Sequence, residues 1–214
     1  SASDAPMARR RSRFLLALVL APFGAQALAQ PSAEEVEAAR PALTVERICD
    51  LIALHAPVNH IPRDFLARLI WKESRFDANA VSPKGAEGVA QFMPGTARLR
   101  GLEDAFDIEQ AIPASAAYLA ELEQRFGNLG LAAAAYNSGE ARVSRWLSSG
   151  GFLPLETENY VLDIMGEPTD SFTDPGYQGT IHPLDGKMPF DIACRRLPAL
   201  EPDMVAMATV PSKP

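Results

Sequence analysis

Histidine and cysteine are scarce, three and two in 214 residues. With so few, a zinc site built on clustered His and Cys is not expected. The HExxH pattern is absent, and His55 and His60 are too far apart to supply it. Both are read as loop or helix-end residues. There is no SxxK pair and no GxSxG elbow, so neither a penicillin-binding acyltransferase nor an α/β-hydrolase is indicated. Neither Cys sits in a recognisable peptidase motif. Gly-rich phosphate-binding motifs and internal repeats are missing too. Positive charge is in deficit, with 20 Lys and Arg against 27 Asp and Glu. Without a basic stripe to neutralise phosphates, nucleic acid is not an expected partner. No metal or other cofactor is called for by any motif.

Long apolar runs are also lacking. The one at the N-terminus, FLLALVLAPFGAQ, follows Arg9, Arg10, Arg11 and Arg13 and is broken by Pro22 and Gly24. It is short for a membrane span and ends at ALA before Gln30, the pattern of a secretory signal peptide over residues 1–29. A retained membrane anchor is the alternative reading. No Cys follows the small-residue site, so a lipid anchor is not expected, and the product would be exported, for instance to a periplasm. Removing the four Arg and one Asp of residues 1–29 takes the net charge from −7 to −10. The remainder, 47% hydrophobic over the whole chain, can bury one good core, and a monomer is expected. Cys49 and Cys194 both survive this cleavage. In an oxidising compartment they are expected to pair, the alternative being two separate buried thiols.

What is present is helical periodicity, which predicts a mainly α fold. Residues 30–61 form an N-terminal helical segment: a short Ala- and Glu-rich helix that Pro41 ends, then a second one capped by Thr44 with Val45, Ile48, Cys49, Ile52 and Ala53 on one face. Asp107 caps a helix to Phe126 that Gly127 stops, with Pro113 near its first turn. Leu129 to Ala135 is so rich in Ala that helices can approach closely across it. Further helices are expected from Glu140 to Leu147 and from Glu156 to Met165. Beyond Pro168 periodicity is lost, so residues 167–214 read as an irregular, Pro-rich C-terminal tail, disordered from Pro198 on.

The stretch from Phe65 to Ala97 carries the chemistry. Phe65, Leu66, Leu69 and Ile70 recur on one helical face, and Glu73 falls on the same stripe, so a carboxylate is aimed at the core. A solvated Glu near a helix end is the ordinary alternative. Ser82-Pro83-Lys84-Gly85 then forms a turn, and an apolar ribbon, GVAQFMP, follows with one amide, Gln91. Pro94 and Thr96 open another helix. An apolar wall of Leu69, Ile70, Phe92 and Met93 would raise the pKa of Glu73 toward neutrality.

Four motifs occur in order: Glu73-Ser74 at a helix end, GVAQFMPGTA at 88–97, AYNSG at 135–139 and ETENYV at 156–161. Together, over roughly 62–166, they resemble the catalytic domain of the soluble lytic transglycosylases, the goose-type lysozyme-like family 23 of glycoside hydrolases. Ala90 and Phe92 depart from that family's usual pattern, in which Met and then Leu or Ile are common. The resemblance implies a lysozyme-like α-helical domain acting on peptidoglycan glycan strands, with Glu73 as single acid and base. It also implies sugar contacts from Ser82, Gln91, Met93, Tyr136, Asn137 and Tyr160. For Tyr160 a purely structural place in the core is the alternative. Ser74 and Thr96 look more like local hydrogen-bonding residues. A single acid suffices if the 2-acetamido group of N-acetylmuramic acid stabilises C1, and the product would be a 1,6-anhydro sugar. A hydrolysing muramidase on the same fold and a non-catalytic wall-binding or secretion-assembly protein are the competing readings, and a cell-envelope secretion machinery is a partner the family admits.

Overall fold

The computed structural model describes residues 33–208, with side chains placed over 44–199. The segment 1–29 and residues 209–214 lie outside these. The elements are α1 (Ala33–Val58), α2 (Arg63–Ser74), α3 (Pro94–Leu99), α4 (Ile108–Phe126), α5 (Leu129–Ser138), α6 (Glu140–Ser149), α7 (Leu155–Met165), a 3-10 turn (Thr169–Thr173) and α8 (Phe190–Ala208). The fold is mainly α. Among the described residues, β-pairing is limited to isolated bridges Val81 to Glu87 and Glu87 to Phe92.

Helix α5 is the hub. Asn128 caps it by accepting from the Leu131 N–H at 2.9 Å and reaches the Phe172 carbonyl with its amide at 2.9 Å. Ala132 to Ala135 are fully buried, and these methyl-sized side chains let α4, α6 and α7 all lie against one short helix. At Gly130 even a methyl is excluded: a Cβ there would sit 2.3 Å from the Phe172 ring. Around α5 the buried faces of α1, α2, α4 and α7 form one contiguous core, so the N-terminal segment is part of it and not an appendage. On α2, Phe65, Leu66, Leu69 and Ile70 are all fully buried, as their spacing predicts. That face contributes roughly 6–12 kcal/mol of gross transfer free energy at ~1.5–3 kcal/mol per side chain.

Three expectations are corrected. Pro41 does not end a helix and Thr44 is no cap, because α1 runs through both as one 26-residue helix. A proline already has a helical φ, and the Ala- and Glu-rich turn before it favours continuation despite the lost hydrogen bond. Pro113 lies in the second turn of α4, inside the helix; Asp107 caps it by accepting from the Glu109 N–H, and Gly127 ends it at φ 94°, both as read from the sequence. The tail is irregular only as far as Pro189, and the segment from Pro198 on is not without structure, since α8 continues through it to Ala208. Phe190, Ala193, Cys194 and Leu197 recur at helical spacing, and this face packs on the core. Cys194 forms a disulfide with Cys49 of α1, with Cα atoms 5.9 Å apart.

Candidate active site

Glu73 stands in the last turn of α2, directed by the helix's apolar stripe toward α7 and α5. Its Oε1 accepts a hydrogen bond from the Tyr160 hydroxyl at 2.5 Å. Burial raises its pKa from 4.5 to about 7; the Tyr160 bond opposes this, Glu156 adds to it, and Lys72 opposes it. Loss of hydration dominates because most of the carboxyl's surroundings are helix and aromatic ring. Lys72, next in sequence, is turned away to an ion pair with Asp163 of α7. Ser74 is buried, and its hydroxyl donates back to the Ile70 carbonyl at 3.4 Å, a local role.

After α2 the chain reverses sharply. Arg75 and Phe76 both take positive φ, 58° and 63°, which L-residues seldom adopt. Phe76 is buried with its ring edge-on to Trp71 at 5.1 Å, a packing gain that holds the turn. The following loop folds back over the end of α2. Ser82 anchors it: its N–H donates to the Ala86 carbonyl at 2.9 Å and its Oγ accepts from the Ala86 N–H at 3.0 Å. Gly88 is obligatory, since a Cβ would lie 1.9 Å from the Ala105 carbonyl oxygen and φ is +72°. Gln91, at φ 51°, donates through Nε2 to the carbonyls of Ala80 and Gly88 at 3.1 and 2.9 Å. That leaves Oε1 as the acceptor it offers.

Helices α4, α5 and α7 build the opposite wall. Tyr136 donates its hydroxyl to the Ala90 carbonyl at 2.8 Å, so it presents a ring and not a free phenol. Phe92, Tyr118 and Tyr136 cluster with ring centroids 5.5–6.5 Å apart, and the Arg100 guanidinium stacks 3.8 Å from the Tyr118 centroid. Burial pushes the hydroxyls of Tyr136 and Tyr160 well above the usual value, so both stay neutral. Thr157 donates to Oδ1 of Asn137 at 2.9 Å, which orients the Asn137 amide N–H groups away from α7.

These walls enclose a cleft of about 590 Å³ lined by Glu73, Ser82, Gln91, Met93, Thr96, Tyr136 and Asn137, among others. Every residue expected to contact sugar is therefore at the cleft except Tyr160, which lies behind Glu73 and touches it. Met93, 45% exposed, forms a rim and Phe92 lines the cleft, whereas Leu69 and Ile70, expected in the same wall, are fully buried in the core and do not line it. Among the lining residues to which the sequence assigns no role are Tyr118, Lys84 and Glu156. Glu156 belongs to the ETENYV motif without a role in it; its position at the start of α7, four residues before Tyr160 and so on the same helical face, is the available signal. It puts a second carboxylate in the cleft, ion-paired to Lys84 at 2.9 Å. No cluster of three or more His, Cys, Asp or Glu able to hold a metal occurs among the described residues.

Comparison with known proteins places these residues in context. The family described as the transglycosylase SLT domain matches residues 50–157. The chain is 36% identical over 111 residues to the membrane-bound lytic murein transglycosylase F of Desulfosudis oleivorans, an overlap of 42% of this chain and 24% of that protein. It is 36% identical over 124 residues to the peptidoglycan transglycosylase gp16 of Escherichia phage T7, covering 51% of this chain and 9% of the phage protein. With the soluble lytic murein transglycosylase of Escherichia coli it shares 32% identity over 138 residues, 54% of this chain and 21% of the other. It thus spans about a quarter or less of the length of these relatives. The matched span holds Glu73, the 82–96 loop, the Tyr136-Asn137 helix end and Glu156, and on that match the chain belongs to the transglycosylase SLT domain family.

Proposed function

We propose that this domain is an exported peptidoglycan lytic transglycosylase that cleaves the β-1,4 bond from N-acetylmuramic acid to N-acetylglucosamine. The observation that carries the reading is Glu73: a carboxyl with its pKa raised to about 7, held by Tyr160 at the floor of a cleft large enough for sugar rings. A group that is substantially protonated near neutrality can act first as acid and then as base. Glu73 gives its proton to O4 of the departing N-acetylglucosamine as the C1–O4 bond breaks. The acetamido carbonyl of the muramic acid stabilises C1. The 6-hydroxyl then bonds to C1 and returns its proton to Glu73, giving the 1,6-anhydro ring and restoring the acid.

Supporting roles follow from the hydrogen bonds already described. Gln91 Oε1 and the Asn137 amide supply an acceptor and donors for acetamido and hydroxyl groups, Ser82 a hydroxyl, and Met93 and the Tyr136 ring apolar contact for sugar faces. Thr96 lines the same wall. The intramolecular hydroxyl competes well with water, since a positioned group reaches effective concentrations on the order of 10⁵ M. The N-terminal basic and apolar segment is assigned as the export signal, which brings the domain to its substrate.

Glu156 gives a second reading a specific basis. A second carboxylate in the cleft could activate water, as in glycosidases that use two acids, and the product would then keep an open reducing end. Digestion of purified peptidoglycan followed by mass spectrometry of the released muropeptides separates the two, anhydro products being lighter by one water. Open reducing ends would overturn the transglycosylase assignment. Unchanged lysis by Glu73→Gln would remove Glu73 from its role, the expected loss being ~10²–10⁴-fold.

A further inference from the structure

The C-terminal segment between the 3-10 turn and α8 does not touch the cleft, yet it is held with unusual care by the catalytic helix. Asp64 and Arg68 lie four apart on α2 and so share a face, the one turned away from the cleft. The Arg68 guanidinium donates through its two terminal nitrogens to the consecutive carbonyls of His182 and Pro183, each at 2.6 Å. The Asp64 carboxylate accepts from the Leu184 N–H at 2.7 Å. Three successive residues of an otherwise irregular strap are therefore read by their backbone alone. Burial lowers the Arg68 pKa while Asp64 supports its charge, so the fork is partly desolvated and its bonds are stronger than surface ones.

Just beyond, the strap is locked. Cys194 is bonded to Cys49 of α1, and Arg195 pairs with Asp50 at 2.9 Å and Glu46 at 3.6 Å on the same helix. Helix α8 contacts both α1 and α2. On the other side, α2 is tied to α7 by Lys72 with Asp163 and by Tyr160 with Glu73. Helix α2 is thus gripped from behind by the strap and from the front by α7. Its axial position decides whether Glu73 meets Tyr160.

We propose that residues 182–184, captured by Asp64 and Arg68 and locked by the Cys49–Cys194 disulfide, are a brace that fixes α2, and that Arg68 is a positioning residue for Glu73. Arg68 is five residues before Glu73 on one rigid helix, so a shift of its end is transmitted to the carboxyl. The proposal rests on the assignment of Glu73 as the acid for its kinetic readout, but not for its structural one. Besides burial, the groups that set the titration of Glu73 are Tyr160 and Glu156 on α7 and Lys72 on its own helix. Their polar partners are Glu73, Lys84 and Asp163, none of them in the strap. A change in the Glu73 titration on altering Arg68 therefore reports displacement of α2 and not a lost direct interaction.

The test uses the full chain with Arg68→Met and Arg68→Lys. Arg68→Met is expected to lower kcat on peptidoglycan by ~10–100-fold, the scale of a sub-ångström to ångström misplacement, with KM changed by less than about twofold. Its alkaline pH limb should move down toward the ordinary carboxylate range, because burial is the largest cause of the raised pKa. Arg68→Lys, which can hold one carbonyl at a time, should fall between. Should Arg68→Met not fold, Asp64→Ala and the Cys49→Ser/Cys194→Ser pair, which leave Arg68 intact, must show the same downward shift. Wild-type kcat and an unmoved limb in the folded variants would overturn the brace. If the wild-type chain does not cleave peptidoglycan at all, the functional assignment fails. The brace is then still tested by the Glu73 pKa from carboxyl NMR, which must differ between Arg68→Met and wild type.

Discussion

Replacing Glu73 by glutamine removes a charge while keeping the shape and the acceptor for the Tyr160 hydroxyl, so its effect on stability isolates the cost of the buried carboxylate. In the folded chain the group titrates at about 7 against an ordinary 4.5. Between those values the folded state holds a proton that the unfolded state has released. Wild-type stability therefore falls as pH rises through this window, and the loss is complete above the folded value. At about 1.4 kcal/mol per pH unit the total is about 3 kcal/mol. Glutamine has no such term, and every other titrating group is common to both chains. Urea unfolding of wild type and Glu73→Gln at a series of pH values from 4 to 9 should give a stability difference that is small at the acid end. It should grow in favour of the variant by about 3 kcal/mol, with most of the change centred between 5 and 7. A difference that stays flat with pH would refute the claim that Glu73 is desolvated, and with it the physical reason for calling it an acid at neutral pH. A difference of opposite slope would mean that the carboxylate is stabilised in the fold and cannot serve as the proton donor.

Tyr160→Phe should raise the Glu73 pKa further, because the phenol's bond lowers it; the alkaline limb of activity, placed near 7 in wild type, moves up, and a downward move contradicts the geometry. Gly130→Ala should destabilise the chain by ~1–3 kcal/mol, as expected of overpacking, since the added methyl meets the Phe172 ring at 2.3 Å; thermal unfolding at a ΔΔG near zero would show that the ring is free to move aside. Thiol titration of the oxidised, denatured chain should find no free Cys, and reduction should cost up to about 4–5 kcal/mol for a loop closed over 145 positions; two titratable thiols without reductant would refute the pairing.

How much of this was legible in the sequence varies with the physics of each segment. The face of α2 was readable because four large apolar side chains repeat at helical spacing, and burial follows from amphipathicity alone. The caps of α4 were readable because Asp107 and Gly127 act through local geometry. Helix α8 carries the same spacing at Phe190, Ala193, Cys194 and Leu197, but the run before Pro198 is only eight residues long, and the Pro- and Gly-rich approach masks it. Pro41 was misread because its penalty is real and only the continuation of α1 on both sides offsets it. The site divides in the same way. Gln91, Met93, Tyr136 and Asn137 lie in the motifs and Ser82 comes from the family resemblance alone, and all reach the cleft. Tyr118 and Lys84 belong to no motif quoted for the family, and their places depend on packing between elements distant in sequence. Glu156 shares a helical face with Tyr160 four residues on, yet nothing local says that this face opens on the cleft.

The position of Glu156 bears on how the cleft separates its two carboxylates. Glu73 sits on the last turn of a helix whose flank is entirely apolar, and the loop that closes over it is built from a glycine that admits no side chain and from a glutamine whose amide is consumed by two backbone carbonyls. Glu73 keeps an accessible edge on the cleft, but most of its surroundings are protein, which is what desolvates it. Glu156 instead begins α7, where the helix dipole favours an anion, with Lys84 beside it and most of its side chain in solvent. An exposed pair of this kind is worth ~0–1 kcal/mol, so substrate can part it at little cost. Its charge also acts on Glu73, adding to the raised pKa without needing to touch the reacting sugar. Carboxyl groups placed in such different surroundings need not share a role: the buried one can carry the proton while the exposed one tunes it and shapes the mouth of the cleft. On that division Glu156→Gln should lower the alkaline limb slightly and keep the product anhydro. A shift from hydrolysed to anhydro products in that variant would instead show that Glu156 had been activating water.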